Sequence, residues 1–277
     1  MTPYGALGLA ALRGREDEAR ILIESTRKEV VQRGEGIGMT TTAWANAMLC
    51  NGIGRYDEAL AAAEAGSENQ NDLGLAAWST IELIEAAARS GSPERATDAL
   101  RRLSETTSAS GTAWALGIEA RSRALVSRGE HAERLYREAI ERLGRTRLRM
   151  ELARVHLLYG EWLRHENRRT EAREQLHRAY EMLSAMAAEG FAERARQELA
   201  ATGQNVRKHA VETADRLTAQ EALIARLARD GLTNPDISTQ LFISPRTVEW
   251  HLRKVFAKLG ISSRRQLGVA LTGTRPE

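Results

Sequence analysis

Residues 244–259 read SPRTVEWHLRKVFAKL and predict one amphipathic helix near the end of the chain. Ser244 is a favourable N-cap, and Pro245 suits the first helical turn because no hydrogen bond there needs its missing N–H. An apolar stripe follows at helical spacing, formed by Val248, Leu252, Val255 and Leu259. The opposite face carries Arg246, Glu249, Trp250 and Arg253. We therefore expect a helix that packs through one face and exposes a charged face.

Shorter helices are predicted on both sides of this one. Residue pairs typical of a capping box, which marks the first turn of a helix, occur at Thr218 with Glu221, at Thr233 with Asp236, and at Ser263 with Gln266. The first helix ends at Gly231, and Phe242–Ile243 form a tight apolar turn before the central helix. The fourth helix covers 263–271. A short helix, a tight turn and a longer helix with a cationic outer face form the helix-turn-helix arrangement.

Residues 217–267 resemble the LuxR-type (GerE-like) four-helix DNA-binding domain. The resemblance rests on LT..E at 217–221, GLTN at 231–234, Ile237, LFIS at 241–244, TVEWHL at 247–252 and KLGISSR at 258–264. It implies an all-α domain that binds double-stranded DNA, with the helix 245–259 in the major groove. Pro235 departs from the family pattern, which usually has a basic residue there, so one candidate phosphate contact is missing.

The resemblance places Glu249, Trp250 and Arg253 at base-reading positions. An arginine can hold O6 and N7 of guanine together, although Arg253 can also contact a phosphate or remain a surface charge. Glu249 can accept a hydrogen bond from cytosine N4, or it can pair with Arg253 one helical turn away. Trp250 either packs on thymine methyl groups and sugar edges or is partly buried against the first helix.

Other polar residues of this segment are candidates for phosphate contacts, which position a domain without reading sequence. They are Thr233, Ser244, Arg246, Thr247, Lys254 and Lys258. Residues 206–277 hold 12 Lys and Arg against 7 Asp and Glu, and 246–265 hold six basic residues against one acid. Such a concentration attracts a polyanion, although a solvated basic face has the same composition. His251 is expected to make a structural hydrogen bond.

The first 200 residues repeat at intervals of 37 to 40 residues. Turn signals recur at Gly14, Gly54, Gly91, Gly129 and Asn167, and an alanine recurs in the following helices at Ala19, Ala59, Ala96, Ala132 and Ala172. The preceding helices carry Trp44, Trp78, Trp114 and, in a shifted position, Trp162. Alanine allows two helices to cross closely, and we expect tryptophan to fill the adjacent gap. The period predicts a TPR-like solenoid of antiparallel helix pairs over 1–203, with an irregular helical bundle as the alternative.

Residues 159–203 resemble the repeats that precede the DNA-binding domain in large ATP-binding (MalT-like) LuxR-family regulators. Those regulators carry an N-terminal nucleotide-binding domain, whereas the phosphate-binding motif G-x-x-x-x-G-K-[ST] is absent from this sequence. The chain is therefore interpreted as the C-terminal portion of such a regulator, without ATP-dependent switching and without a cofactor. Residues 204–216 lack apolar periodicity and are interpreted as a linker to a DNA-binding domain at 217–272.

The remaining composition argues against several classes of protein. The single cysteine, Cys50, cannot form an internal disulfide and is expected to be a buried small hydrophobe. No apolar run approaches the roughly 18 residues of a membrane span and no signal pattern opens the chain, so a cytoplasmic protein is expected. No histidine pair has metal-ligand spacing, and no nucleophile–base pair predicts an enzyme. The carboxylates of the repeats alternate with arginine at helical spacing, which predicts solvated faces.

The leading hypothesis is a sequence-specific transcription regulator with a sensory or interaction region. A homodimer on DNA, formed through the helix 263–271, is implied by the resemblance alone. The concave side of the repeats is expected to bind a peptide, a protein or a small-molecule inducer, and RNA polymerase is a further candidate partner. The alternative is a helical-repeat interaction scaffold that uses a non-DNA docking module. An enzyme is the third hypothesis.

Overall fold

The computed structural model describes residues 4–68, 74–203, 219–241, 244–259, 261 and 263–272. Every regular element in these residues is a helix, which confirms the predicted all-α class. The chain divides into two compact units, Met1–Val206 and Arg207–Glu277. The predicted linker 204–216, the cap residue Thr218 and the turn Phe242–Ile243 lie outside the described residues.

The first unit is built from consecutive helices joined by short turns. They are α1 (Tyr4–Arg13), α2 (Glu16–Gln32), α3 (Gly36–Gly52), α4 (Tyr56–Ser67), α5 (Leu75–Arg89), α6 (Pro93–Ser110), α7 (Ala113–Leu125), α8 (Gly129–Gly144), α9 (Arg149–His165), α10 (Arg169–Ala185) and α11 (Glu189–Ala201). Neighbouring helices pack as pairs, from α1 with α2 to α9 with α10, and each pair packs on the next. This stacking agrees with the predicted TPR-like array of antiparallel helix pairs.

The turns lie where the sequence predicts them. Backbone φ is positive, between 57° and 78°, at Gly14, Gly54, Gly91, Gly129 and Asn167. Glycine adopts this conformation without steric cost, and asparagine tolerates it. The recurring alanines Ala19, Ala59, Ala96, Ala132 and Ala172 are fully buried, as expected for close helix crossings. A further turn at Ala187, with φ of 54°, leads into α11.

The prediction that the tryptophans fill gaps between helices is wrong for Trp78 and Trp114, whereas Trp44 and Trp162 pack half-buried against the core. The side chains of Trp78 and Trp114 are 40% and 38% exposed, and Trp44 lies 5.1 Å from Trp78 between ring centroids. One such gap, beside Gly160, is filled by Leu176. Leu176 packs so tightly against Gly160 that a Cβ on this glycine would lie 2.6 Å from the leucine Cγ. Trp78 and Trp114 therefore expose part of their rings at the surface.

Helix α11 returns to the start of the array and closes it. It contacts α1 and α3 as well as α9 and α10. The turn at Gly14 approaches α11 so closely that a Cβ there would lie 2.4 Å from the backbone nitrogen of Gly190. Arg15 and Glu189 form an exposed ion pair beside this contact, at 3.3 Å, and Phe191 is buried against Gly52 of α3. The first and last helices of the unit thus share one interface.

The interior of the first unit holds a buried ion-pair network. Arg154 of α9 donates to Glu82 at 2.6 and 2.8 Å and to Glu85 at 2.6 Å, and both carboxylates belong to α5. Burial alone would raise the pKa of Glu85, but the guanidinium groups of Arg154 and Arg194 outweigh it and lower that pKa. All these side chains are buried. The expectation that the carboxylates of the repeats form solvated faces is therefore wrong for this set.

Arg194 of α11 joins three other helices in this network. It donates to Glu85 of α5 at 2.7 Å, to Glu161 of α9 at 2.7 and 2.8 Å, and to the backbone oxygen of Asn51 in α3 at 3.0 Å. Arg89 of α5 also donates to Glu161. Arg194 therefore ties α11 to α3, α5 and α9 in the interior of the unit.

The carboxylate of Glu133 is stabilised in its charged form. Hydrogen bonds from Arg168, together with those from Tyr159 and Arg137, lower the pKa of Glu133 from 4.5 to about 2. A lowered folded-state pKa contributes stability that is present above the unfolded value and is lost as the pH falls toward 2. We expect Glu133→Gln to lower the urea midpoint at neutral pH and to flatten its change with pH across this acidic range.

The matched control for this prediction is Glu105→Gln, which removes an exposed carboxylate paired only within its own helix, with Arg101. Its midpoint should follow the parent protein at every pH. Equal pH dependence of Glu133→Gln and the parent would contradict the assignment.

The second unit contains α12 (Ala219–Arg229), α13 (Asn234–Leu241), α14 (Pro245–Leu259), a 3₁₀ turn (Arg264–Gln266) and α15 (Leu267–Thr272). Its core is formed by Ile224, Ala225, Ala228, Ile237, Val248, Leu252, Val255 and Leu267. The predicted stripe of α14 contributes three of these residues, and Leu259 packs against them half-buried. Packing thus fixes which face of α14 remains outside.

Candidate nucleic-acid interface

The start of α14 is capped as the sequence predicts. The hydroxyl of Ser244 accepts a hydrogen bond from the backbone N–H of Thr247 at 3.0 Å, and the two hydroxyls lie 2.7 Å apart. Pro245 is the first helical residue. The first turn of α14 therefore combines two exposed or half-exposed hydroxyls with the positive end of a helix dipole.

The start of α13 carries a reciprocal cap between Thr233 and Asp236. The carboxylate accepts from the backbone N–H of Thr233 at 2.9 Å and from its hydroxyl, while the N–H of Asp236 donates to that hydroxyl at 3.4 Å. The hydroxyl bond, followed by the backbone bond, lowers the pKa of Asp236. The hydroxyl of Thr233, a predicted phosphate contact, is thus already engaged with a carboxylate.

The outer face of α14 brings together the residues predicted to contact bases. Arg253 and Glu249 form an ion pair at 2.7 Å, with side chains that are 78% and 53% exposed. Trp250 is 52% exposed, so about half of its surface is open to solvent. The Nζ atom of Lys254 lies 3.7 Å from the centroid of the Trp250 ring. Two pairs of side chains, each spanning one turn, therefore cover this face.

These pairs are weak enough to be exchanged for contacts with a ligand. An exposed ion pair four residues apart on a helix contributes about 0.3–0.5 kcal/mol. An arginine that contacts guanine in bidentate fashion provides roughly 1–3 kcal/mol of discrimination. Release of Arg253 from Glu249 therefore costs less than the contact that it can form. The pairs hold the side chains extended on the surface without blocking them.

The side chains of Arg246 and Lys258 lie outside the described residues. The Nδ1 atom of His251 is buried without a hydrogen-bond partner among the described residues, so the predicted hydrogen bond does not run through this atom. Its ring packs edge-on against Trp250, at 4.8 Å between centroids. His251 therefore supports the base of the exposed tryptophan.

Arg264 has a structural role that the sequence analysis did not predict. Its guanidinium donates to the backbone oxygen of Ala228 at 3.2 Å, to the side-chain oxygen of Asn234 at 2.9 Å, and to the backbone oxygen of Leu232. It thereby fixes the turn between α12 and α13. Arg264 therefore does not belong with the free cations of this basic segment. The predicted capping box of Ser263 and Gln266 is present directly beside it.

The described ranges contain no group of three or more His, Cys, Asp or Glu side chains arranged to hold a metal ion. No described helix is both long and apolar enough to cross a membrane. Cys50 is buried as predicted, and burial raises its pKa to about 11.

Comparison with known proteins shows which family this unit matches. Residues 215–271 match the family of bacterial regulatory proteins called the luxR family. The Mycobacterium bovis HTH-type regulator Mb0914c is 48% identical over 65 residues, which are 24% of this chain and 7% of that relative. The HTH-type transcriptional regulator AlkS of Pseudomonas putida is 34% identical over 62 residues, 22% of this chain and 7% of AlkS.

A shorter relative matches the same segment. The nitrate/nitrite response regulator protein homolog of Haemophilus influenzae is 41% identical over 58 residues, which are 21% of this chain and 28% of the relative. No solved structure matches the chain. The family match coincides with the described helices α12 to α15. The C-terminal segment of this chain is therefore a helix-turn-helix domain of the luxR family.

Proposed function

We propose that the chain is a sequence-specific DNA-binding transcription regulator whose helix α14 enters the major groove. One observation carries the proposal: α14 turns its apolar stripe into the core and presents Glu249, Trp250, Arg253 and Lys254 together on the exposed face. A major groove about 12 Å wide accepts a helix in this orientation. The names of the matched relatives, transcriptional and response regulators, support the same role.

In this proposal the base contacts come from the middle of α14. Arg253 binds O6 and N7 of a guanine, and Glu249 either accepts from a cytosine N4 or orients Arg253 through their ion pair. Trp250 packs its exposed ring on a thymine methyl group or a sugar edge. The six phosphate contacts are Thr233, Ser244, Arg246, Thr247, Lys254 and Lys258. Helix N-termini are favourable places for phosphate, which supports the two capping residues Ser244 and Thr247.

The proposed organisation gives each segment a task. Residues 1–203 form a sensory or protein-interaction region, 204–216 link it to the DNA-binding domain at 217–272, and the helix over 263–271 joins two copies on DNA. RNA polymerase is a further candidate partner. We propose a cytoplasmic protein that regulates without catalysing a reaction and without a cofactor.

Two single substitutions test the division between base and phosphate contacts. Arg253→Ala should remove the preference at one base position, a loss of roughly 1–3 kcal/mol of discrimination, because only one bidentate contact disappears. Lys254→Ala should weaken every duplex alike and flatten the dependence of log K on log salt by about one unit. Selection from a random duplex pool, followed by titrations at several salt concentrations, measures both effects.

The contrast between the two variants is the control. If Arg253→Ala weakened all duplexes equally and kept its base preferences, its assignment as a base contact would be wrong. If the parent protein selected no sequence and showed no salt dependence, the regulator proposal itself would fail.

A further inference from the structure

The exposed tryptophans of the first unit line a cleft of about 210 Å³. We call this the tryptophan cleft, and its lining consists of Trp44, Met48, Trp78, Ile81, Glu82, Trp114, Ile118, Leu148 and Glu151. These residues come from the first helix of successive pairs, α3, α5 and α7, and from the start of α9. Because Trp78 and Trp114 are each more than one-third exposed, part of each indole is available to a ligand.

The charge of the lining has one sign. Among the residues that the structure describes around this cleft, the ionisable groups are the carboxylates of Glu82 and Glu151, and no lysine, arginine or histidine lines it. Indole faces carry negative electrostatic potential and attract cations, most strongly when the site is partly desolvated. Carboxylates and indoles thus favour the same kind of ligand and disfavour an anion.

The two carboxylates differ in the oxygen atoms that remain available to a ligand. Both oxygens of Glu82 accept hydrogen bonds, from Arg154 and from Asn51. Glu151 is bonded through its Oε2 atom to Arg121 at 2.5 Å, and its side chain remains 26% exposed. Burial acts to raise the pKa of Glu151, but Arg121 and Arg154 outweigh it and lower that pKa, so the group stays ionised. Its Oε1 atom is the oxygen left for a ligand.

The arginines behind these carboxylates do not reverse the preference. Arg121 and Arg154 are almost completely buried and do not line the cleft. They compensate the carboxylates from the protein side, which keeps Glu151 charged and in place. A ligand on the open side meets the carboxylate and the rings first.

A second, apolar cleft of about 340 Å³ continues the first. The two share Trp78, Ile81, Trp114 and Ile118, and the second has no charged residue in its described lining. Its other walls come from α5, α6 and α7, including Leu75 and Leu103. Volumes of this order are typical of small-molecule sites. The combined shape suits a molecule with a small polar head and an apolar body.

We propose that the tryptophan cleft binds a small organic cation, a quaternary or protonated amine, whose apolar body extends over the adjoining cleft. Trp44, Trp78 and Trp114 surround the cationic head, and Glu151 balances its charge. The inference specifies the ligand class for the sensory region proposed above. The role of such a ligand as a signal rests on the proposed function, whereas its binding to the cleft does not, because binding is measured without DNA.

Three soluble probes separate charge from apolar contact. Benzyltrimethylammonium combines a cationic head with a ring, choline has the head without the ring, and 3,3-dimethyl-1-butanol replaces the nitrogen of choline by carbon. Calorimetric titration of the full chain should show that benzyltrimethylammonium binds most tightly, choline less tightly and the alcohol least tightly. We expect the dissociation constant of choline to be about tenfold lower than that of its uncharged isostere, which corresponds to 1.4 kcal/mol of binding free energy.

Variants of the lining test the location. Trp78→Ala and Trp114→Ala should each weaken benzyltrimethylammonium about tenfold, and Glu151→Gln should weaken choline by a similar factor without affecting the alcohol. Glutamine keeps an acceptor for Arg121, and melting curves verify that each variant is folded. Trp250→Ala, which removes an exposed tryptophan of the other unit, is the matched control and should bind all probes like the parent.

The outcomes distinguish this inference from the proposed function. Absence of saturable benzyltrimethylammonium binding up to roughly 10 mM, or equal affinity for choline and its isostere, overturns the inference. Duplex affinity is measured separately on the same variants. If duplex binding is intact while the cation does not bind, the ligand assignment fails and the regulator proposal stands.

Discussion

Replacement of Arg194 by methionine should lower the free energy of unfolding of the first unit by about 3–5 kcal/mol. Arg194 is buried and donates to Glu85, Glu161 and the backbone of Asn51, which belong to three different helices. Methionine matches the length of the arginine stem but leaves two buried carboxylates with less compensation. Loss of one member of a buried ion-pair network is costly because the remaining charges stay desolvated.

Urea unfolding measures this effect in a Trp250→Phe background. The chain has five tryptophans, and the other four lie in the first unit, so their fluorescence then reports that unit alone. The control is Arg196→Met on the same helix, because among the described residues Arg196 pairs with Glu193 of α11 itself, near the surface. We expect the control to stay within about 1 kcal/mol of the parent. Equal midpoints for both variants would show that the network contributes little.

Reversal of both cations on the outer face of α14 should reduce duplex affinity at least about 100-fold. Arg253→Glu with Lys254→Glu removes one proposed base contact and one proposed phosphate contact, and it places two new carboxylates against a polyanion. Loss of each contact alone should lower duplex affinity roughly tenfold, and repulsion by the new carboxylates should lower it further. Fluorescence anisotropy with a selected duplex at fixed salt measures the change.

The matched control reverses the same amount of charge elsewhere. Arg226→Glu with Arg229→Glu alters two exposed arginines of α12, outside the proposed interface. General electrostatic repulsion would weaken both double variants to a similar degree, whereas direct contact weakens only the α14 variant. Parent-like affinity of the α14 variant at low salt would refute the proposed orientation of this helix.

Local signals in the sequence predicted much of the fold. Gly54 and Asn167 mark turns because a positive φ restricts the residue type, and the Ser244 cap marks a helix start because a free N–H needs a partner. The stripe of α14 was predictable because its spacing matches one helix face. Exposure of Trp250 and Arg253 follows from the same spacing.

Features that depend on tertiary geometry were not predictable in this way. Glu82 and Arg154 belong to helices far apart in sequence, and glutamate and arginine at helical spacing are typical of solvated faces as well as of a buried network. Arg264 resembles any other cation of the basic segment until the turn at Leu232 is placed beside it. The turn before α11 escaped prediction because Ala187 is rarely found at positive φ.

The closure of the first unit by α11 has a consequence for how the protein folds. Arrays of repeats usually fold by contacts between neighbours, so that stability grows as each repeat is added. Here Arg194 bonds to Asn51 across 143 residues and Arg15 to Glu189 across 174. A nascent chain therefore cannot complete the packing of α1 and α3 until α11 has been synthesised. Such long-range contacts slow folding and join all the pairs in one cooperative transition, so deletion of a pair at either end should unfold the remainder.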